Sequence, residues 1–157
     1  IPVIGSNHSV CKSNDLKDKR LRVSVWITWN DSSVVIDCGP DFRQQMLTSG
    51  CTKLDALFLT HEHADHTAGL DDIRPFNFMQ AKPIPIYGHR YVLDNLAQRF
   101  DYIFRTENRY PGAPSVEPIE VINNQSVFII HVKQKPGLTK FIKYDSPVIK
   151  EYWHLVL

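Results

Sequence analysis

The chain has 157 residues, 43% hydrophobic and 22% charged, enough for one domain with its own core, since a domain usually takes roughly 100 to 200 residues. No apolar run reaches the roughly 18 residues that a membrane span needs, so no membrane association is expected. Eighteen basic residues against 17 acidic leave a net charge of +1, and the basic side chains form no stripe, which argues against an extended nucleic-acid surface while a small nucleotide substrate stays compatible.

Residues 21–29 alternate, with Leu21, Val23, Val25, Ile27 and Trp29 on one side and Arg22, Ser24, Trp26 and Thr28 on the other, which predicts a strand. Asn30-Asp31 signals a turn, and residues 33–37 read as the returning partner of a hairpin. Asp41 is placed to cap a helix over residues 42–49, where Phe42, Met46 and Leu47 form the apolar side and Gly50 stops it. Residues 54–60 read as a second, more buried strand.

Residues 70–78 predict a helical turn interrupted by Pro75. A short strand, Ile84-Pro85-Ile86-Tyr87, precedes a helix over 90–104, in which Val92, Leu93, Leu96, Phe100 and Ile103 recur at three- and four-residue steps and form a packing face. Three prolines and Gly112 mark 107–118 as a long loop. Two strands are predicted over 126–132 and 139–144, around Pro136-Gly137. The tail, residues 149–157, is apolar without a period and offers a partner surface, with a homo-oligomer as one open outcome. Neither a repeat nor a second boundary is visible, so 1–157 reads as one domain of α/β or α+β type whose strand order the sequence leaves open.

Cys11, Cys38 and Cys51 are odd in number and widely spaced, unlike a disulfide framework. Residues 1–5 lack the basic and long apolar regions of a signal peptide, so the cytoplasm is the expected compartment. Ile1 at the first position points to a true start further upstream.

The segment His61-Glu62-His63-Ala64-Asp65-His66 places four metal-binding side chains within six residues, directly after the apolar run Leu57-Phe58-Leu59. His61 and His63 would face the same way on an extended backbone, and a turn at Asp65 and His66 folds the chain back toward the same centre. Imidazole nitrogen suits zinc, manganese and iron, and a carboxylate can bridge to a neighbouring cation. Singly, each histidine could cap a strand and Asp65 a helix near Thr67; together they predict the start of a two-metal site. Glu62 would face the other way, which suits a surface or outer carboxylate better than a catalytic base.

Residues 60–76, from Thr60 through the histidine segment to Asp71-Asp72-Ile73-Arg74-Pro75-Phe76, resemble the metallo-beta-lactamase superfamily, and most closely the branch that includes the phosphonate-utilisation accessory phosphodiesterase. Residues 5–11, 15–25 and 36–43 extend the likeness. The resemblance implies a partial αββα sandwich: an incomplete hydrolase domain over 1–157, lacking the N-terminal strand and much of the C-terminal half. It also implies two divalent metal ions, zinc or manganese. His61, His63 and His131 would ligate the first, Asp65 and His66 the second, and Asp145 would bridge both. Asp65 is assigned the catalytic role, Asp37 the buried carboxylate that orients ligands, and Asp72 with Arg74 the loop after the motif. A further C-terminal histidine of the family has no counterpart, since His154 lacks a matching motif. Where the family often carries three cysteines for another zinc, this chain has Ser6, His8 and Cys11, which reads as a surface loop.

The activity so implied is hydrolysis of cyclic phosphates or small nucleotide diesters by hydroxide held between the ions. Two alternatives stand beside it: hydrolysis of a thioester, lactam or other acyl group, and an inactive metal-binding or interaction domain lacking the final ligand. No dinucleotide-binding glycine loop, phosphate-loop lysine or serine nucleophile turn is visible.

Overall fold

The computed structural model describes residues 1–122 and, beyond them, the strand residues Ser126–Val127 and Ile142–Lys143. Five strands lie in one sheet in chain order: β1 (Val25–Trp29), β2 (Ser32–Ile36), β3 (Ala56–Phe58), β4 (Ile84–Gly88) and β5 (Val116–Glu120). The first two form an antiparallel hairpin turning at Asn30, whose φ is 51°. The other neighbours are parallel, and parallel neighbours need crossovers. Helices supply them. After the short α1 (Ser9–Lys12), α2 (Phe42–Ser49) links β2 to β3. Helices α3 (Ala64–Thr67) and α4 (Arg74–Gln80) link β3 to β4, and α5 (Arg90–Arg99) with α6 (Asp101–Phe104) links β4 to β5.

Strand alternation divides the apolar residues between two faces. On one face Val35, Leu57, Leu59, Ile84 and Ile86 pack against the helical Phe42, Met46, Leu70, Ile73, Phe76, Val92, Leu93, Leu96 and Ile103. Each fully buried side chain of this size contributes about 1.5–3 kcal/mol. The other face carries Val34, Ala56, Phe58, Tyr87 and Val121, with Trp29, Ile36 and Ile119 against them. A sheet with one helix-covered face and one apolar inner face is a partial αββα sandwich. A second pair, β6 (Ser126–Val127) and β7 (Ile142–Lys143), is antiparallel; the rest of the predicted strands at 126–132 and 139–144, and the tail at 149–157, lie outside the described residues. Among the described residues no helix is long and apolar enough to cross a membrane.

Several elements differ from the sequence expectation for identifiable reasons. The strand at 21–29 begins only at Val25, because the Arg22 backbone N–H donates to Asp41 Oδ2 at 2.8 Å and Ser24 Oγ donates to the Asp37 carbonyl at 2.8 Å. Asp41 therefore makes no cap bond to α2, although Gly50, with φ 68°, ends that helix as expected. Pro75 opens α4 instead of interrupting it, since a first-turn residue needs no N–H bond. The helix over 90–104 breaks at Phe100, with φ −116° and ψ 44°. The loop expected at 107–118 ends in β5, an edge strand that tolerates Pro118.

Candidate metal centre

Leu59 N–H donates to the Tyr87 carbonyl at 2.8 Å, which carries the chain past the end of β3 to the C-terminal edge of the parallel strands, the usual place for a site in such a sheet. The backbone stays extended at His63, with φ −61° and ψ 147°, and α3 starts at Ala64. That path gathers the histidine segment. The His61 and His63 ring centroids are 4.7 Å apart and those of His61 and His66 4.0 Å apart. One ligand atom each from His61, His63 and Asp65 lies within 4.8 Å of the others, and His66 Nε2 is 3.6 Å from Asp65 Oδ2.

Two imidazoles and a carboxylate at this spacing fit a divalent ion contacted at about 2.0–2.2 Å. The side chains of His63 and Asp65 are 70% and 57% exposed, whereas that of His66 is only 21% exposed, so the group opens outward from a fixed base. Among the described residues this is the one set of three donors so placed.

The base is Asp37, which is 3% exposed and follows β2 at φ 60°. A left-handed non-glycine residue costs of order 1–3 kcal/mol and persists where its surroundings impose it. Here they do. Asp37 Oδ1 accepts from Thr60 N–H at 2.8 Å, and Oδ2 accepts from the Thr60 hydroxyl at 2.7 Å and from His66 Nδ1 at 2.8 Å. Thr60 Oγ1 is also 2.9 Å from His61 Nδ1. Its single proton goes to Asp37, so it accepts from His61 Nδ1–H. One carboxylate thus sets both tautomers, leaving Nε2 of each ring free to accept a metal ion. The residue before the first histidine completes this relay, a role that the sequence reading missed.

Backbone contacts clamp the segment from beneath. Cys38 N–H donates to the His66 carbonyl and Gly69 N–H to the Cys38 carbonyl, each at 2.8 Å. A Cβ on Gly39 would overlap the Asp65 carbonyl, and one on Gly69 would overlap the Gly39 carbonyl and come within 2.6 Å of Phe42 Cβ. Burial pushes the Cys38 thiol far above its ordinary range, aided by the charges of Asp37 and Asp72. It is an inert packing residue. Glu62 Oε1 lies 3.9 Å from His63 Nε2, beside the centre instead of across from it.

His131 and Asp145 lie outside the described residues. In the early loop His8 Nδ1 accepts from Val10 N–H at 3.3 Å and Cys11 Sγ from Val3 N–H at 3.4 Å. Those atoms serve the local turn. A hydrogen bond from Ser6 draws the Cys11 pKa below its ordinary value, with the Val3 N–H adding to the effect.

Residues 32–141 match the beta-lactamase superfamily domain. An octanoyltransferase of Porphyromonas gingivalis is 44% identical over 122 residues, covering 77% of this chain and 24% of that protein. Ribonuclease Z of Methanosarcina acetivorans is 36% identical over 69 residues, or 41% of this chain and 23% of its own length. A crystal structure of a diphosphatase from the PhnP family matches with a TM-score of 0.70 and 37% identity over 82% of this chain and 50% of that one. Zinc-bound PqqB of Methylobacterium extorquens, at 17% identity and a TM-score of 0.57 over 81% of this chain and 44% of its own, shares the fold alone. The chain spans about a quarter of these curated relatives, at 24% and 23%, and half of the diphosphatase, at 50%. With the superfamily match running from residue 32 through the sheet and the His61–His66 segment, the chain belongs to the beta-lactamase superfamily.

Proposed function

We propose that this chain carries the metal-binding part of a hydrolase acting on phosphodiesters, either cyclic phosphates or small nucleotide diesters, with two divalent ions, zinc or manganese. The observation that carries the proposal is the grouping of His61, His63 and Asp65 within 4.8 Å beside a His66 held by Asp37. The 37% identity to a diphosphatase supports a phosphate substrate. The proposed setting is the cytoplasm, with a small diffusible substrate.

His61, His63 and Asp65 would hold one ion, and Asp65 with His66 would reach the second. His131 and Asp145 are proposed to complete the set. Bound divalent ions supply Lewis acidity toward a phosphate oxygen and a water of lowered pKa. The protein's own contribution is order: Asp37 retains the Nδ1 proton of His66, and Thr60 passes the same constraint to His61. Asp65, proposed as the catalytic residue, works through ligation, since its carboxylate stands among the imidazoles and not apart as a free base.

The test is elemental analysis and a hydrolysis assay on one preparation of the full chain, beside His61→Ala. The assay panel holds cyclic phosphates, small nucleotide diesters and a diphosphate. Two equivalents of metal, with turnover of a diester that His61→Ala abolishes, are expected. A metal-saturated protein that turns over nothing in the panel overturns the activity. That outcome leaves a second reading, a metal-binding domain without turnover, with which the same three-donor group is compatible.

A further inference from the structure

The ligand segment is tied from a second side, by a residue that no part of the proposed chemistry uses. Arg99, the last residue of α5, reaches across to donate from Nη1 to the Glu62 carbonyl at 2.9 Å and to Thr67 Oγ1 at 3.2 Å. Thr67 is fully buried, and its hydroxyl donates to the His63 carbonyl at 2.9 Å. That same carbonyl accepts from His66 N–H at 3.0 Å. The two peptide oxygens so held, those of Glu62 and His63, belong to the stretch of backbone that joins His61 to His63 and turns it into α3.

We propose that Arg99 is a positioning residue of the metal centre: it fixes the Glu62 peptide and thereby the mutual placement of His61 and His63. The proposal rests on the metal-centre reading above. Asp37 and Thr60 fix the His66 and His61 rings through their Nδ1 atoms, which sets rotation. Ring rotation alone does not set the separation of two ligands that stand two residues apart on extended backbone. That requires the intervening peptide to stay still, and Arg99 with Thr67 supplies the bonds that hold it. Solvent can replace Arg99 at the exposed Glu62 carbonyl, so its loss costs the folded apo chain little while freeing the ligands to spread. Preorganised ligands bind metal more tightly because less freedom is lost on binding.

Charge gives the proposal a distinguishing sign. A guanidinium beside a cation site opposes metal binding by repulsion. If Arg99 acted through charge alone, removing it would tighten binding; as a positioning residue, its removal weakens binding.

The experiment measures zinc affinity by competition with a chromophoric chelator. It uses the full chain, Arg99→Met, Arg99→Lys and His61→Ala, each held below the thermal midpoint of its apo form. Met keeps the aliphatic stem and helix propensity without a donor, and Lys restores a donor. Arg99→Met is expected to bind zinc about 10-fold more weakly, within the range for loss of an outer partner, with little change in the apo midpoint. Arg99→Lys is expected to recover most of the affinity. Affinity in Arg99→Met equal to or tighter than wild type overturns the proposal, as does an Arg99→Met chain without a folded apo state, which makes the role structural. Wild type no tighter than His61→Ala overturns the metal centre itself and this proposal with it. A wild type that outbinds His61→Ala but equals Arg99→Met overturns this proposal alone.

Discussion

His66 Nδ1 lies 2.8 Å from Asp37 Oδ2 across 29 residues of chain, which joins the end of β2 to the metal segment beyond β3. Because Asp37 Oδ2 also takes the Thr60 hydroxyl and Oδ1 the Thr60 N–H, three donors converge on one carboxylate. Asp37→Asn keeps the shape and replaces one acceptor oxygen with a donor, so in either amide orientation a donor faces a donor. Zinc affinity is expected to fall about 10- to 100-fold, the usual loss when an outer partner of a ligating histidine is removed. Chelator competition against wild type checks this, and an unchanged affinity would show that the carboxylate does not govern the histidines.

Gly39 packs where no side chain fits. An added Cβ would overlap the Asp65 carbonyl oxygen and sit 3.1 Å from its carbon, and both are backbone atoms of the metal segment that cannot rotate aside. Overpacking a well-filled site costs about 1–3 kcal/mol, and Gly39→Ala is expected at the upper end, about 3 kcal/mol, by urea denaturation of the apo chain. Because the displaced backbone carries the proposed ligand Asp65, zinc affinity should drop as well. A variant as stable as wild type would mean that the two loops have room to separate.

What could be read from the chain follows the range of the interactions. The grouping of the His61–His66 side chains was legible because their spacing is local: two-residue alternation and the next turn suffice to bring them together. Asp37 was found through the family resemblance, but its partners were not, since Thr60 is 23 residues away and nothing in the local pattern marks the contact. Arg99 was invisible for the same reason. The periodic face of α5 accounts for Val92, Leu93 and Leu96, which are buried, and leaves Arg99 looking like a solvated helix end. Pro75 and Pro118 were read as breakers because sequence alone does not say whether an N–H is needed there. One sits in a first turn and the other on a sheet edge. Asp41 failed as a cap because Arg22, 19 residues earlier, claims its carboxylate.

The three thiols should react in a defined order. Hydrogen bonding lowers the Cys11 pKa, which raises the fraction present as reactive thiolate near neutral pH. Cys51 is shifted the other way, mainly by burial, and Cys38 is fully buried as well as strongly raised. A brief pulse of iodoacetamide on the native chain, read by peptide mass spectrometry, is expected to label Cys11 first, Cys51 more slowly and Cys38 last. Equal labelling of Cys38 and Cys11 would mean that the core around Phe42 and Thr67 opens on the timescale of the pulse.

Tyr102 gives a pH dependence whose sign can be worked out. Its hydroxyl donates to Asp71 Oδ1 at 2.9 Å, and burial first, then that bond and the Asp71 charge, push its pKa from the ordinary 10.0 up to about 12. The folded chain therefore keeps the proton that the unfolded chain releases. Stability from this group is fully present below pH 10.0 and is lost as pH rises through about 12. The ring is 41% exposed, so solvent screening limits the size of the effect, and the slope of stability against pH is the better readout. Tyr102→Phe removes both the ionisation and the bond, and should flatten the fall between those two values while weakening the tie between α6 and the Leu70–Ile73 turn. Ultraviolet titration of the native chain, which has six tyrosines, should show a late-ionising component near pH 12 that disappears in Tyr102→Phe. Its persistence in the variant would assign it to another ring, with Tyr87 the next choice, since burial raises that phenol too.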